Sequence, residues 1–200
     1  MNAHHQTFDA AVIGGGLVGK TAALALTQAG LRVALLAQPC AALAAGAVFD
    51  SRVYALSSSS QALLERLRVW QALDQTRLGP VYDMRVYGDA HAELHFSAFQ
   101  ASVPQLAWIV ESSVIERALD AALRFQPNLT WIDTRAQALD FSVDSASVGL
   151  ANGSVLEAGP GSRRGRRVLV GARADRLEDG APRLQAGWRG RQFQGREAAR

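Results

Sequence analysis

The chain has 200 residues, of which 48% are hydrophobic and 20% are charged. This composition is sufficient for one sizeable packed domain and argues against a wholly disordered chain. The single cysteine, Cys40, excludes an internal disulfide framework, and no apolar run is long enough to predict a membrane span. The four histidines form no metal-binding pattern with Cys40, so no metal is predicted. A reducing, cytoplasmic location is expected, because no signal-peptide pattern opens the sequence.

The charge is unevenly distributed along the chain. Residues 1–159 contain 10 Lys+Arg and 14 Asp+Glu, a net −4, whereas residues 160–200 contain 11 and 4, a net +7. A basic tail can attract nucleic acid or an anionic membrane. This tail lacks the interleaved aromatic residues and the fold pattern of a nucleic-acid-binding segment, so no nucleic-acid partner is predicted.

The first predicted unit is a strand, a glycine turn, a helix and a second strand. Residues 8–13 are an apolar run that ends at glycines, which is typical of a buried parallel strand. Leu17–Gln28 is rich in Ala and Leu, both good helix formers, and Gly30 is a plausible helix stop. Residues 31–37 are a second apolar run. Together these segments predict a βαβ unit of the dinucleotide-binding type.

The glycines of this unit match G-x-G-x-x-G at Gly14, Gly16 and Gly19, with Gly15 between the first two. The first glycine allows a tight turn, the second lets backbone approach a pyrophosphate, and the third lets the helix pack against the strand. The helix then points its free N–H groups toward an anion. We therefore predict that these four glycines bind a dinucleotide cofactor.

The same stretch of sequence also matches a phosphate-binding P-loop, through Gly14, Gly19, Lys20 and Thr21. In that interpretation residues 129–133, LTWID, supply the apolar strand and an aspartate for magnesium. The second strand that follows the helix almost at once favours the dinucleotide interpretation. The P-loop stays open as an alternative.

A dinucleotide site usually has Asp or Glu at the end of its second strand, where the acid binds the ribose hydroxyls. This sequence has Ala37 and Gln38 there. Gln38 offers a neutral acceptor for a hydroxyl. It is therefore a predicted cofactor-binding residue.

The remaining elements begin with DSRVYAL at residues 50–56, where the planar fork of Arg52 suits a phosphate. Serines at 57–60 cap a predicted helix at 61–67, and Ser112 or Ser113 caps another at 114–125, with Glu116 completing a capping box. Three consecutive strands without intervening helices predict an antiparallel sheet. The predicted strands after the opening unit are 80–88, 93–97, 107–110, 129–133, 136–143, 147–150, 154–157 and 168–170, with a hairpin turn at Asn152 and Gly153.

The order of motifs resembles that of the FAD-dependent aromatic hydroxylases, and most closely the hydroxylases of ubiquinone biosynthesis, relatives of p-hydroxybenzoate hydroxylase. The resemblance runs from about residue 9 to residue 172. The motifs that carry it are GGGLVG, DSRVYALSSSSQALLERLRVW, LAWIVESSVIERALDAAL, NGSVLEA and VLVGA. Their conjunction is more specific than the glycine motif alone.

The resemblance implies an α/β fold of the p-hydroxybenzoate hydroxylase type, with a Rossmann-like FAD-binding domain and an interleaved antiparallel substrate sheet. It implies that NAD(P)H reduces the flavin, and that one oxygen atom of O₂ is then transferred to a phenolic or ubiquinone-precursor ring. The four glycines would face the FAD pyrophosphate and Arg52 its phosphates or ribose. Glu111 would contact the flavin, with Arg117 a weaker candidate. No residue is predicted to be a catalytic acid or base.

Three features depart from that family. The ribose-binding acid is missing, the D-G motif expected after VLVGA is replaced by Arg173, Ala174 and Asp175, and the chain has about half the family's length.

We predict an FAD-binding domain at 1–172, in which the strands at about 80–110 belong to the substrate-side sheet, and an irregular basic tail at 173–200. One hypothesis is that the reading frame shifts between Glu157 and Arg167, since the tail is rich in Arg and Gly. Such a truncated enzyme is expected to bind FAD weakly or to be a non-catalytic remnant. The lipophilic substrate class would allow peripheral membrane contact.

Overall fold

The computed structural model describes residues 6–37, 49–89, 92–141, 146–158 and 168–171. Gln38 and the predicted tail at 173–200 lie outside these residues. The described chain forms three α-helices, α1 (Leu17–Gln28), α2 (Ser58–Arg66) and α3 (Ser112–Arg124). Its strands are β1 (Gln6–Phe8), β2 (Ala10–Ile13), β3 (Val33–Leu36), β4 (Val53–Ser57), β5 (Leu78–Val81), β6 (Asp83–Tyr87), β7 (Glu93–Ser97), β8 (Ala107–Glu111), β9 (Leu129–Ile132), β10 (Ala136–Phe141), β11 (Ala146–Leu150), β12 (Val155–Ala158) and β13 (Val168–Gly171).

A parallel four-stranded sheet lies at the centre of the fold, in the order β13-β2-β3-β9. The glycine-containing unit supplies its two middle strands, with Val12 paired to Leu35 on one side and to Val170 on the other. The predicted βαβ unit is therefore present. The short apolar run at 168–170, which the sequence places far from the glycines, pairs directly with the strand that leads into them.

The central sheet is covered on both faces, which explains why its strands read as continuous apolar runs. Side chains alternate along each strand, so neighbours contribute to two separate clusters. One face packs against the helices and the other against a second four-stranded sheet in the order β1-β12-β11-β10. On the helix side lie Ala10, Val12, Val33 and Leu35, and on the other side lie Ala11, Ala34 and Leu36 with Val148, Leu150 and Leu156.

The predicted first strand at 8–13 is wrong in one respect, because the chain changes sheets at Asp9. Phe8 pairs with Ala158 in the second sheet, whereas Ala10 pairs with Val33 in the central one. The buried Asp9 carboxylate accepts the backbone N–H of Arg32 at 2.8 Å. This hydrogen bond fixes the crossing point, and its partner, the backbone N–H of Arg32, cannot be identified from residues 8–13 alone.

The predicted strand at 80–88 is also wrong, because it is two strands separated at Tyr82. Val81 ends β5, which pairs with β8 in the antiparallel sheet β4-β8-β5, and Asp83 begins β6, which pairs with β7 in a separate two-stranded sheet. Tyr82 marks the break, where its C=O accepts the N–H of Ala98 at 2.8 Å. The alternating pattern continues across the break, so periodicity alone could not locate it.

The helices α1 and α3 lie side by side and run in the same direction. Near the start of α1, Lys20 contacts Asp120 of α3, and beyond its end the side-chain amide of Asn128 donates to the backbone oxygens of Thr27 and Leu31. Both helices therefore begin at the same end of the molecule. This places the glycine turn and Glu111, the residue before α3, at a common end.

Lys20 is fully buried between these two helices. Its Nζ lies 2.7 Å from Asp120 Oδ1 and 4.0 Å from Glu116 Oε2. Glu116 in turn accepts a hydrogen bond from Ser112 Oγ at 2.9 Å. An ammonium group at this depth is stable only because carboxylates surround it.

Replacing Lys20 with Met tests this pairing. Removing one partner of a buried pair leaves the other charge uncompensated, which costs about 3–5 kcal/mol when both groups are fully buried. Because the Asp120 side chain is 24% exposed, we expect the variant to lose about 2–3 kcal/mol of unfolding free energy in urea denaturation. The double variant Lys20→Met with Asp120→Leu should regain most of the loss, because the closest charge pair is removed as a whole and Glu116 keeps its hydrogen bond from Ser112. Arg85→Met, at the exposed Arg85–Glu93 pair, is the control and should change stability little. A double variant no more stable than Lys20→Met would contradict the pairing.

Candidate functional site

The glycine turn lies at the carboxyl end of β2. Gly14 has φ of 116°, a conformation that favours glycine, and its N–H donates to Leu36 O of the neighbouring strand at 2.8 Å. Gly16 follows as the N-cap residue of α1 with extended backbone. The turn is thus tied to the ends of two adjacent parallel strands, the edge at which open α/β sheets bind their ligands.

Gly19 and Gly16 have opposite surroundings. A Cβ atom on Gly19 would lie 2.1 Å from Gly14 O, so the helix approaches the turn too closely for any side chain. A Cβ on Gly16 would meet nothing within 4 Å. The turn is therefore closed on the protein side at Gly19 and open at Gly16, where a ligand can approach the backbone.

Within the part of the chain that the structure describes, no side chain caps the start of α1. Gly16 provides no side-chain cap, and no acidic residue lies in the first turn of this helix. The first N–H groups of a helix have no partner within it, and the helix dipole makes that end electropositive. An anion such as a pyrophosphate fits this arrangement.

The start of α3 is by contrast already capped. The carboxylate of Asp50 accepts the N–H of Ser113 at 3.2 Å, and Arg52 O accepts the N–H of Ser112 at 2.8 Å. The predicted serine capping box is thus wrong, because the helix begins at Ser112 with Glu111 as its N-cap residue. The cap comes from a loop some 60 residues earlier, which a local sequence pattern cannot reveal.

Glu111 is buried and fully engaged. The guanidinium of Arg77 donates to both of its oxygens, from Nε at 2.7 Å and from Nη2 at 2.6 Å. The N–H of Asp50 donates to Glu111 Oε2 at 2.7 Å. Arg77, which lies in a short 3₁₀ turn before β5, was not predicted from the sequence. The one available signal was that a buried glutamate needs a cation nearby.

The two arginines that were predicted from the sequence are exposed and lie beside Glu111 and Asp50. The side chain of Arg52 is 70% exposed, and its Nε lies 3.7 Å from Asp50 Oδ1. Arg117 donates from Nε to Ser113 O, one turn earlier in α3, at 3.2 Å. Arg52, Glu111 and Arg117 thus gather at the start of α3, at the same end of the helix pair as the glycine turn.

Lys20 does not occupy the position that a P-loop requires. A P-loop lysine extends toward the phosphates bound by the loop. Here the ammonium is buried against Asp120 and Glu116 of α3. The side-chain position therefore argues against the P-loop alternative, although the sequence motif is complete.

Two further findings concern the described ranges alone. No group of three or more His, Cys, Asp or Glu side chains there is arranged to hold a metal ion. Nor does any helix there have the length and apolar character needed to cross a bilayer.

The fold is shared with solved monooxygenases. A p-nitrophenol 4-monooxygenase, PnpA, from Pseudomonas putida DLL-E4 superposes with a TM-score of 0.56 at 20% identity, over 76% of this chain and 39% of that one. PqsL from Pseudomonas aeruginosa, described as a probable FAD-dependent monooxygenase, gives 0.55 at 19% identity over 76% of this chain and 40% of the other. The predicted α/β fold of the p-hydroxybenzoate hydroxylase type is confirmed.

The sequence comparison gives more specific relatives than the structural one. The chain is 32% identical to the ubiquinone hydroxylase UbiL of Rhodospirillum rubrum over 168 residues, 82% of this chain and 36% of that protein. It is 34% identical to the 3-demethoxyubiquinol 3-hydroxylase of Escherichia coli over 128 residues, 63% of this chain and 32% of that protein. No protein-family model matches the chain.

The chain is therefore similar in sequence to ubiquinone hydroxylases, and it matches their N-terminal part. It spans about a third of the length of these two curated relatives. The resemblance stated from the motifs is confirmed.

Two alanine substitutions test the geometry of the turn. Gly19→Ala should destabilise the chain strongly, by roughly 2–4 kcal/mol, because the new methyl group overlaps Gly14 O and α1 must move. Gly16→Ala should change the unfolding free energy by less than about 1 kcal/mol, since its backbone is extended and its surroundings are open. Urea denaturation followed by circular dichroism measures both. Equal losses for the two variants would contradict this geometry.

The pH dependence of stability tests the Asp50 cap. The N–H of Arg52, and after it that of Ser113, hold the pKa of the Asp50 carboxyl below its ordinary value of 3.8. A depressed pKa means that the stabilisation is complete above that ordinary value and is lost as the pH falls through the folded-state value. Asp50→Asn should therefore destabilise the chain more at about pH 6 than at about pH 2.5.

Other carboxylates titrate in the same range, so the informative quantity is the difference in unfolding free energy between the wild type and Asp50→Asn. Asp74→Asn is the matched control, because the pKa of Asp74 is also lowered, chiefly by the Thr76 hydroxyl, and its hydrogen bonds are made to Thr76 rather than to the first N–H groups of α3. A difference for Asp50→Asn that does not change with pH would show that its charge does not support the helix.

Proposed function

We propose that this chain forms the cofactor-binding portion of an FAD-dependent monooxygenase that hydroxylates a phenolic or ubiquinone-precursor ring. The observation that carries the proposal is the start of α1, which is uncapped, free of acidic residues and open at Gly16. The relationship to ubiquinone hydroxylases supports it independently.

The four glycines, Gly14, Gly15, Gly16 and Gly19, would hold the FAD pyrophosphate through backbone N–H groups and the α1 dipole. Arg52 would meet a phosphate or the ribose, since its fork is largely exposed at the same end of the helix pair. Arg117 is a further candidate beside it. Gln38 would serve the ribose hydroxyls.

FAD, when bound, supplies the oxygen-transfer chemistry after reduction by NAD(P)H, which we propose as the co-substrate. The described residues contribute binding, orientation and charge balance. We assign none of their side chains a proton-transfer role. A ubiquinone precursor is lipophilic, so we also propose peripheral contact with a membrane surface.

Flavin content tests the proposal directly. The purified chain is titrated with FAD, and the quenching of flavin fluorescence gives the affinity. Gly16→Val should weaken binding at least about tenfold, because its branched side chain fills the open space at the turn. Thr21→Val is the matched control in the same helix: it removes the hydroxyl that a P-loop would place on magnesium, and it should leave FAD binding unchanged.

The outcome separates the remaining alternatives. Binding of magnesium-ATP that is lost in Thr21→Val, without FAD binding, would favour a P-loop protein. FAD binding without phenol-stimulated NADH or NADPH oxidation would indicate a chain that holds the cofactor without catalysis. The absence of both FAD and ATP binding would overturn the proposed function.

A further inference from the structure

We propose that Arg77 is a positioning residue for the cofactor site, and that through Glu111 and Phe49 it fixes the loop that presents Arg52. This inference rests on the proposed function, because it assigns Arg77 a part in the same FAD site. Arg77 is not among the residues predicted from the sequence, and its position follows from contacts between three distant segments.

Arg77 holds the loop at residues 49–52 in two ways. Its guanidinium donates to both oxygens of Glu111, which is 7% exposed, and Glu111 Oε2 accepts the N–H of Asp50. The same guanidinium lies over the ring of Phe49, with its Cζ 4.8 Å from the ring centroid. A planar fork that binds a carboxylate on its edge and an aromatic ring on its face is specific to arginine.

The loop held in this way connects to Arg52 through its backbone. Asp50 Oδ1 accepts the N–H of Arg52 at 3.0 Å, and Arg52 O accepts the N–H of Ser112 at 2.8 Å. The backbone of Arg52 is thus fixed while its side chain remains exposed. Immobilising the backbone of an exposed arginine lowers the entropy lost when that arginine binds an anion.

Glu111 acquires a different role from the one that the family resemblance implies. Both of its oxygens are occupied by Arg77, and one of them also accepts the Asp50 N–H. It is therefore a link between Arg77 and the loop. Without Arg77, a buried carboxylate would remain with no cation, and it would draw in water or a proton.

The test uses the conservative variant Arg77→Lys, because a lysine still neutralises Glu111 and keeps the chain folded. Lysine lacks the planar fork, so amide hydrogen exchange of peptides covering residues 49–53 should accelerate in the cofactor-free protein. FAD binding should weaken about tenfold. The matched control is Arg85→Lys, at the exposed Arg85–Glu93 pair, which should change neither quantity.

A double-variant comparison separates positioning from general damage. If Arg77 acts by presenting Arg52, Arg77→Lys should weaken FAD binding strongly in the wild-type background and little in an Arg52→Met background. Additive effects of the two substitutions on FAD affinity would overturn the proposal. Unchanged exchange at residues 49–53 in Arg77→Lys would overturn it as well.

The failure of this inference is distinguishable from failure of the proposed function. If the wild-type chain binds no FAD, the proposed function fails, and the role of Arg77 at a cofactor site fails with it. If the wild type binds FAD and Arg77→Lys binds it equally well, the proposed function stands and the inference alone is wrong.

Discussion

The contact between α1 and the glycine turn sets the geometry on which the candidate site depends. Because Gly19 has no room for a side chain, the helix backbone lies against Gly14 O, and the start of the helix comes to the ends of β2 and β3. A helix only slightly farther away would no longer aim its first N–H groups at the space beside Gly16. The absence of side-chain atoms at these glycines is therefore what positions the polar backbone.

Buried charge pairs then hold α3 in place. Lys20 links α1 to Asp120 and Glu116 of α3, and Arg77 links the start of α3 to the loop that ends at Arg52. Such pairs contribute little net stability compared with apolar packing, but they tolerate few alternative arrangements. Here they define the direction and register of α3 relative to the glycine turn, because each cation has its carboxylates at fixed positions along the helix.

Much of the fold could be predicted from local patterns. The apolar runs and the glycine spacing identified the βαβ unit, and Asn152 with Gly153 located a hairpin that the structure forms between β11 and β12. The predictions failed where a distant segment decided the outcome. Arg32 fixes the sheet crossing at Asp9, and Asp50 caps a helix that begins 62 positions later. The same reason explains why the glycines were found from sequence whereas Arg77 was not: a glycine motif is contiguous, and the partner of Glu111 is 34 residues away.

The charges near the start of α3 indicate how an anion would be attracted. The pKa of Asp74 is lowered chiefly by Thr76 and more weakly by Arg77 and Arg117, so this carboxylate belongs to the same neighbourhood. Among the described residues this group contains three cations and three anions, namely Arg52, Arg77, Arg117, Asp50, Asp74 and Glu111. A balanced group exerts little net attraction at long range. The attraction for a pyrophosphate must then come mainly from the uncapped N–H groups of α1, which act at hydrogen-bond distance and depend on orientation. Under the proposed function, the site would select its ligand by the fit of phosphate oxygens to a backbone turn, and Arg52 would add one directed contact.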